Sequence, residues 1–506
     1  MLGDQIGSLL LVGAGVLLAA ILAVRVSTRA GLPSLLVYLG IGVLLGESVI
    51  GIEFADADLA FVLAIVGLVL ILAEGGLTTR WSQVKPVMPL SLLLSTVGVA
   101  IGITVMTLLG RFALGLDWQL SVLLGAVTAP TDSAAVFSVL RRVPLLSRVR
   151  GSLEAESGLN DAPTLLLVVM VSTGEAAEHA WYYVLAVVLL ELVLGGAVGI
   201  VLGWVGARLL ARAALPSSGL YPLAVLSLCV VSYGAAILVH SSGFAAVYVA
   251  ALVLGNAELP HRAATRSFAE GVGWLAQIGL FIMLGLLASP ERLTWWHVGA
   301  GLLAGAVLTV VARPLSVAVC AVPLRVPWRE QAFMSWAGLR GAVPIVLTTI
   351  PLAEAVPGAT DLFDLVIVLV VVYTLLQGPT LPWAADRLGV STHEAPRDLE
   401  VEAAPLEGIA ADLLHVRVAA ASRLHGVEVG ELRLPGGTSV SLVVRGDESF
   451  VPRPSTRLAV GDEMLVVCPR ATRAATEDRL RAVAEHGRLA GWSHRARRPG
   501  EPQPRD

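Results

Sequence analysis

Of the chain's 506 residues, 56% are hydrophobic and only 15% are charged, and the mean hydropathy is +0.79. An ordinary soluble domain carries about 25% charge, so a wholly soluble protein is excluded and a membrane is implied. The net charge of −4 says little until its distribution is read. Cys229, Cys320 and Cys468 lie far apart and the nine histidines have no ligand spacing, so no disulfide framework, zinc site or resident cofactor is expected, and no nucleic-acid partner.

Runs of about 20 apolar residues, each long enough for a helix to cross a hydrocarbon core of about 30 Å, recur from Ile6 to Pro382. Thirteen transmembrane spans are expected, starting near Ile6, Leu32, Leu59, Val87, Leu120, Leu153, Tyr183, Tyr221, Gly243, Phe268, Trp296, Ala332 and Leu362. The first begins MLGDQIGSLLLVG; it lacks a basic leader and is too long for a signal-peptide core, so it is read as a retained span.

The loops between the spans alternate in charge. Arg25, Arg29, Arg80, Lys85, Arg141, Arg142, Arg148, Arg150, Arg208, Arg212, Arg262, Arg266, Arg313, Arg325, Arg329 and Arg387 fall on one side, sixteen of the nineteen Lys and Arg before residue 390. Arg111 and Arg292 fall on the other side, and Arg340 lies inside a span. The positive-inside rule then places the N-terminus outside and the C-terminus in the cytoplasm, for a multi-pass protein of the plasma membrane surrounded by its lipid.

Thirteen spans divide as six, one and six, so the two sets of six run in opposite directions, the pattern of an inverted-repeat transporter that binds its substrate near the midplane where helices break. The fifth span contains TAPTDS (128–133) and the twelfth GLRGAVP (338–344), each with the proline or glycines of a broken helix, at equivalent positions of the two halves. The fold class is therefore an all-α polytopic membrane domain with a small α+β domain behind it. Residues 1–388 form the membrane domain and 389–404 a charged linker. LHVRVAA, TSVSLVV and RLAVGDEMLVVC supply strands in a domain over 405–470, and 471–506 is a basic, partly disordered tail.

Ionisable groups inside a span cost several kcal/mol each, about 2.5 to 3.5 for Asp or Arg at mid-helix, and mark ion paths. Asp132, Glu156, Asp161 and Arg340 fall inside spans, and Glu74 lies near the end of the third. On the sixth span, Ser157 and Asp161 are four apart, as are Glu156 and Asn160, and Thr164 lies a turn further on, so one face is rich in oxygen. A dehydrated monovalent cation needs such oxygens, and the break near Thr131 frees backbone carbonyls. A carboxylate that either a proton or a cation can neutralise is the least that antiport requires. A channel would need a continuous polar path, and an enzyme a nucleophile–base pair or metal cluster; the sequence offers neither.

TDSAAVFSVLR (131–141), ESGLNDAPT (156–164) and GLRGAVPIVL (338–347) closely resemble the motifs of the monovalent cation:proton antiporter-1 family, the bacterial sodium/proton and potassium/proton exchangers. The resemblance implies two inverted bundles crossing at the breaks, a dimerisation domain, a homodimer and elevator-type alternating access. It makes Asp161 the carboxylate for which cation and proton compete and Asn160 its partner. Asp132, Thr131 and Ser157 supply the remaining oxygens of the monovalent-cation site, Glu156 pairs with Arg340, and Glu74 braces Asn160. The Asn160–Asp161 pair replaces the Asp–Asp of electrogenic relatives, which implies electroneutral exchange. PGGTSVSLVVR and LAVGDEMLVVC resemble the TrkA-C domain of potassium-conductance regulators, here without a nucleotide-binding Rossmann motif before it. That tail points to K+ rather than Na+ as the exchanged cation, and to a regulatory nucleotide such as cyclic di-AMP as its ligand.

Overall fold

In the computed structural model the chain forms two compact units, Met1–Ser391 and Thr392–Asp506. The structure describes all residues except 1, 31–33, 47–49, 52–53, 55–56, 133–144, 214, 258, 392–400, 406–410, 419–421, 447, 470–471 and 488–506.

Backbone polar groups in an apolar medium must bond within their own segment, and the first unit is accordingly helical. Its helices are α1 (Leu2–Ala30), α2 (Ser34–Leu45), α3 (Ala57–Thr78), α4 (81–112), α5 (Trp118–Thr128), α6 (Ser147–Ser172), α7 (Trp181–Arg212), α8 (Leu220–Leu238), α9 (Gly243–Asn256), α10 (Arg262–Leu287), α11 (Trp295–Ala321), α12 (Trp328–Trp336), α13 (Ala342–Ala353) and α14 (Ala359–Leu388). Seven helical stretches among the described residues are both long and apolar enough to cross a membrane. The expected span starts fall within these helices, except Leu32, which lies outside the described residues.

Two bundles pack side by side. In one, α10 lies on α2 and α3, and α9 on α3, α7 and α8. The stripe Gly195, Gly199 and Gly203 lets α7 approach α9 closely: a Cβ at Gly195 would come within 2.3 Å of the Ser242 carbonyl oxygen, as small residues permit between membrane helices. In the other bundle, α4, α5 and α6 pack with α11 to α14. A shared core that includes Leu123, Leu124, Phe281 and Phe363 runs through both.

The interruption of the twelfth span is present, with α12 and α13 separated by 337–341, and the fifth span leaves the helix at 129–132, the residues beyond it, 133–144, lying outside the described set. Two further irregularities are π turns, at Leu94–Gly98 in α4 and Leu308–Ala312 in α11. They are stitched together: the Ser316 hydroxyl, one turn beyond the second, donates to the Gly98 carbonyl at 2.8 Å.

Arg313 follows the second π turn and is buried inside α11, so it does not belong among the cytoplasmic loop charges. Its neighbour Pro314 gives the segment the look of a loop in sequence. The unit ends on a tie. Leu146 N–H donates to the Val390 carbonyl at 3.1 Å and Leu145 pairs with Ser391 in an antiparallel bridge, so the last residues of the unit are fixed to the chain just ahead of α6.

The second unit is a five-stranded antiparallel sheet in the order β1-β2-β5-β3-β4, with β1 Val401–Pro405, β2 Ala411–Arg417, β3 Ser439–Arg445, β4 Glu448–Phe450 and β5 Glu463–Pro469. Alternation puts Leu414, Val416, Met464 and Val466 on the buried face. Helix α15 (Arg473–His486) covers it with Leu480 and Val483. Two expected boundaries therefore move. The linker's last residues are an edge strand, and the first part of the expected tail is a core helix; HRARRPGEPQPRD lies outside the described residues. Asp462 follows Gly461, whose φ of +88° makes the turn into β5. Its carboxylate accepts from Arg445 Nε and Nη2 and from the Ala459 N–H, each at 2.7 Å.

Candidate cation site

The site begins where the breaks cross. Asp132 N–H donates to the Leu339 carbonyl at 3.1 Å, and the Asp132 carboxylate accepts the Ala342 N–H at 2.7 Å. Ala342 opens α13, so this carboxylate satisfies one of the N–H groups that a helix start leaves unpaired and sits at the positive end of its dipole. The Thr374 hydroxyl of α14 donates to the Arg340 carbonyl in the same break at 2.7 Å. Asp132 is thus a strut between the two broken spans, close enough to Asp161 for their charges to interact.

Helix α6 brings the oxygens to this crossing. The Thr131 and Ser157 hydroxyls are 2.9 Å apart, and Asn160 Nδ2 donates to Thr131 Oγ1 at 2.9 Å. The Thr164 hydroxyl bonds back to the Asn160 and Asp161 carbonyls, and Pro163 has no N–H to give the Leu159 carbonyl a turn earlier. Thr131, Ser157, Asn160 and Asp161 are all buried. Asn160 Oδ1 and Asp161 Oδ1 have no hydrogen-bond partner among the described residues. Buried acceptors are almost always satisfied, and two open ones beside two hydroxyls form an all-oxygen set suited to a small hard cation or a proton.

The expected Glu156–Arg340 pair is replaced by another. Both Glu156 oxygens are taken by Arg313, one through Nη1 and one through Nη2 at 2.8 Å, and the pair is 1% and 6% exposed. Arg313 reaches α6 from the position directly after the π turn. Arg340 is also buried, within electrostatic range of Glu156, Asp132 and Arg313, while its Nε and Nη1 have no partner among the described residues. Glu74 lies on α3 with its carboxylate against Gly273 of α10. Gly158 of α6 is a notch: a Cβ there would meet the Tyr248 ring of α9 at 2.5 Å, so the bundle that holds α9 presses this side chain onto the site helix.

The family model "Sodium/hydrogen exchanger, transmembrane" matches residues 16–387, and the TrkA-C domain matches 413–481. The chain belongs to the sodium/hydrogen exchanger family. This exchanger is 34% identical to the K(+)/H(+) antiporter NhaP of Alkalimonas amylolytica over 467 residues, covering 90% of this chain and 80% of that one. It is 33% identical to the K(+)/H(+) antiporter NhaP2 of Shewanella baltica, covering 92% and 81%. The Na(+)/H(+) antiporter NhaS2 of Synechocystis is more distant, at 25% over 64% of this chain. The sodium proton antiporter MjNhaP1 of Methanocaldococcus jannaschii shares the fold, with a TM-score of 0.64 at 22% identity over 76% of this chain and 99% of that one.

In this exchanger the oxygens of α6 cluster as their spacing on one helix face indicates. The two residues missed by sequence reasoning, Arg313 and Tyr248, come from helices α11 and α9, whose positions relative to α6 no spacing along the chain reveals. A basic residue beside proline at mid-run (ARPL, 312–315) is the available signal for the first; the tyrosine carries none.

Proposed function

We propose that this exchanger swaps one K+ for one H+ at Asp161 by alternating access, as a homodimer in the plasma membrane with its C-terminus in the cytoplasm. The observation that carries the reading is the open Asp161 oxygen beside the Thr131–Ser157–Asn160 cluster at the crossing of two broken spans. A site of this kind holds either ion but not both, because one neutralises the charge that attracts the other.

Charge counting supports the one-for-one ratio. Around the crossing, Asp132, Glu156 and Asp161 stand against Arg313 and Arg340, all buried. Two of the three negative charges are balanced within the protein, and the one that remains matches a single proton or a single monovalent cation. Asp132 and Glu156 are committed to Ala342 and Arg313, which leaves Asp161 to carry the change. The two K(+)/H(+) relatives, whose similarity extends over about nine-tenths of this chain, support K+; Na+ is the alternative that the more distant Na(+)/H(+) relative supports. The TrkA-C domain acts in this reading as a regulatory module that takes a nucleotide.

The test is dissipation of a pH gradient in proteoliposomes on addition of K+ or Na+ separately, at zero and at an imposed membrane potential. K+ should collapse the gradient at a rate independent of the potential, and Asp161→Asn should abolish the response while the protein still elutes as a folded species. Wild-type exchange in Asp161→Asn would refute the site, a potential-dependent rate would refute the ratio, and a response to Na+ alone would reassign the cation.

A further inference from the structure

We propose that the cavity enclosed by α2, the end of α10 and α14 is a phospholipid site, seating one acyl chain of a single leaflet with the headgroup at Ser289 and Arg292. The cavity measures about 560 Å³, within the range of roughly 300 to 1,000 Å³ usual for small-molecule sites. Its wall is almost wholly aliphatic, with Val37, Gly40 and Leu44 on α2 facing Ile367, Val371 and Leu375 on α14. Leu44 and Leu375 are exposed, so the cavity opens on the apolar outer surface of the membrane unit.

Length identifies the occupant. The α14 wall runs from Asp364 to Leu375, and eleven residues at 1.5 Å each span about 16 Å, half of a hydrocarbon core of about 30 Å. One leaflet's acyl chain has that reach. The polar end lies at the matching depth. Ser289 and Pro290 close the cavity there, and the exposed Trp295 and Trp296 follow in the chain, where aromatic residues anchor at the headgroup level. Arg292, partly exposed beside the same rim, is held by Asp364 through Nε at 3.3 Å and Nη2 at 3.2 Å; its positive charge suits a phosphate. α2 belongs with α10 in one bundle and α14 with α11 and α13 in the other, so the chain occupies the seam between them.

Gly40 supplies the test, because a Cβ added there meets nothing within 4 Å, so a larger side chain starts without a clash and extends into the cavity it lines. The full-length protein is reconstituted with a phospholipid bearing a diazirine on its acyl chain, photolysed and mapped by peptide mass spectrometry. Adducts are expected on Val37, Leu44, Val371 and Leu375, and Gly40→Phe should abolish them while adducts on the exposed α7 residues Val193 and Trp204 persist. If Gly40→Phe does not fold, Val371→Trp fills the space from the opposite wall and is judged by the same criterion. Wild-type protein labelled on α7 but not in the cavity, or cavity labelling unchanged by a folded filling variant, overturns the proposal. A diazirine fatty acid that labels the cavity as strongly as the phospholipid overturns the headgroup assignment. No transport is measured, so the outcome is independent of the exchange reading.

Discussion

The pairing of Glu156 with Arg313 rather than Arg340 makes a quantitative claim. Two unit charges about 4 Å apart attract by about 4 kcal/mol at an effective dielectric of 20, and removing one partner of a buried pair costs about 3 to 5 kcal/mol because the other charge is left uncompensated. With the partners 1% and 6% exposed, Arg313→Gln and Glu156→Gln should each fall in that range. The double variant loses both charges together and should be less destabilised than the sum, giving a coupling energy towards the upper end of the usual 0.5 to about 3 kcal/mol. The Glu156/Arg340 cycle should give clearly less, since Arg340 interacts with Glu156 through space only. Unfolding free energies from denaturant titration of the purified protein in mild detergent, followed by tryptophan fluorescence, provide both cycles. A coupling below about 0.5 kcal/mol for Glu156/Arg313, or a larger one for Glu156/Arg340, would refute the reasoning.

Asp132→Ala removes the acceptor at the start of α13 and should cost at least the roughly 0.5 to 2 kcal/mol of a lost N-cap, whereas Asp132→Asn keeps an oxygen there and should melt closer to wild type; the reverse order in a thermal-shift series would show that the carboxylate is not acting as a cap. In the second unit, burial pushes the Asp462 carboxyl up, but hydrogen bonds from Arg445 and the Ala459 N–H, with the Arg445 charge, outweigh it and hold the group below the ordinary range. A depressed folded-state value stabilises the unit above the unfolded value of about 3.9, and that contribution is lost as pH falls through the folded one. Asp462→Asn should therefore destabilise the unit at pH 7 and lose its penalty progressively below about pH 4, as read from melting curves; a penalty independent of pH would contradict this. Removal of the tail should leave exchange intact and change its pH or nucleotide dependence, provided the cut follows Ser391. A cut after Leu388 also deletes the residues that tie the unit's end to Leu145 and Leu146 and should lower the melting temperature, and equal stability of the two truncations would show that the tie is inert.

The membrane helices were legible because the bilayer imposes one length and one secondary structure, and the breaks because proline and glycine have few other uses between long apolar runs. The oxygens of α6 were legible for the same reason, since Ser157, Asn160, Asp161 and Thr164 share one helix. Partners contributed by another helix were not. Glu156 could be seen to need a cation, but Arg313 counted as a loop charge because the positive-inside rule tallies charge and takes no account of depth. Tyr248 looked like any aromatic in an apolar run, and only the backbone approach at Gly158 distinguishes it. In the second unit, β1 was hidden because its five residues, VEAAP, run on from a charged, proline-containing linker, and α15 by an arginine-rich surface that leaves only one side of the helix apolar.

The paired π turns bear on how the two halves are related. One begins at Leu94, thirteen residues after the helical path opens at Trp81, and the other at Leu308, thirteen after Trp295. LSTVG and LTVVA are too short and too ordinary for their likeness to register in an alignment, yet each inserts the same extra residue at the same point of its helix. Removing the bulge in α11 would rotate everything beyond it by about 100°, given 3.6 residues per turn, and carry Arg313 away from Glu156. The matching offset of the two π turns is a likeness of backbone register, and the Glu156–Arg313 pair depends on the one in α11.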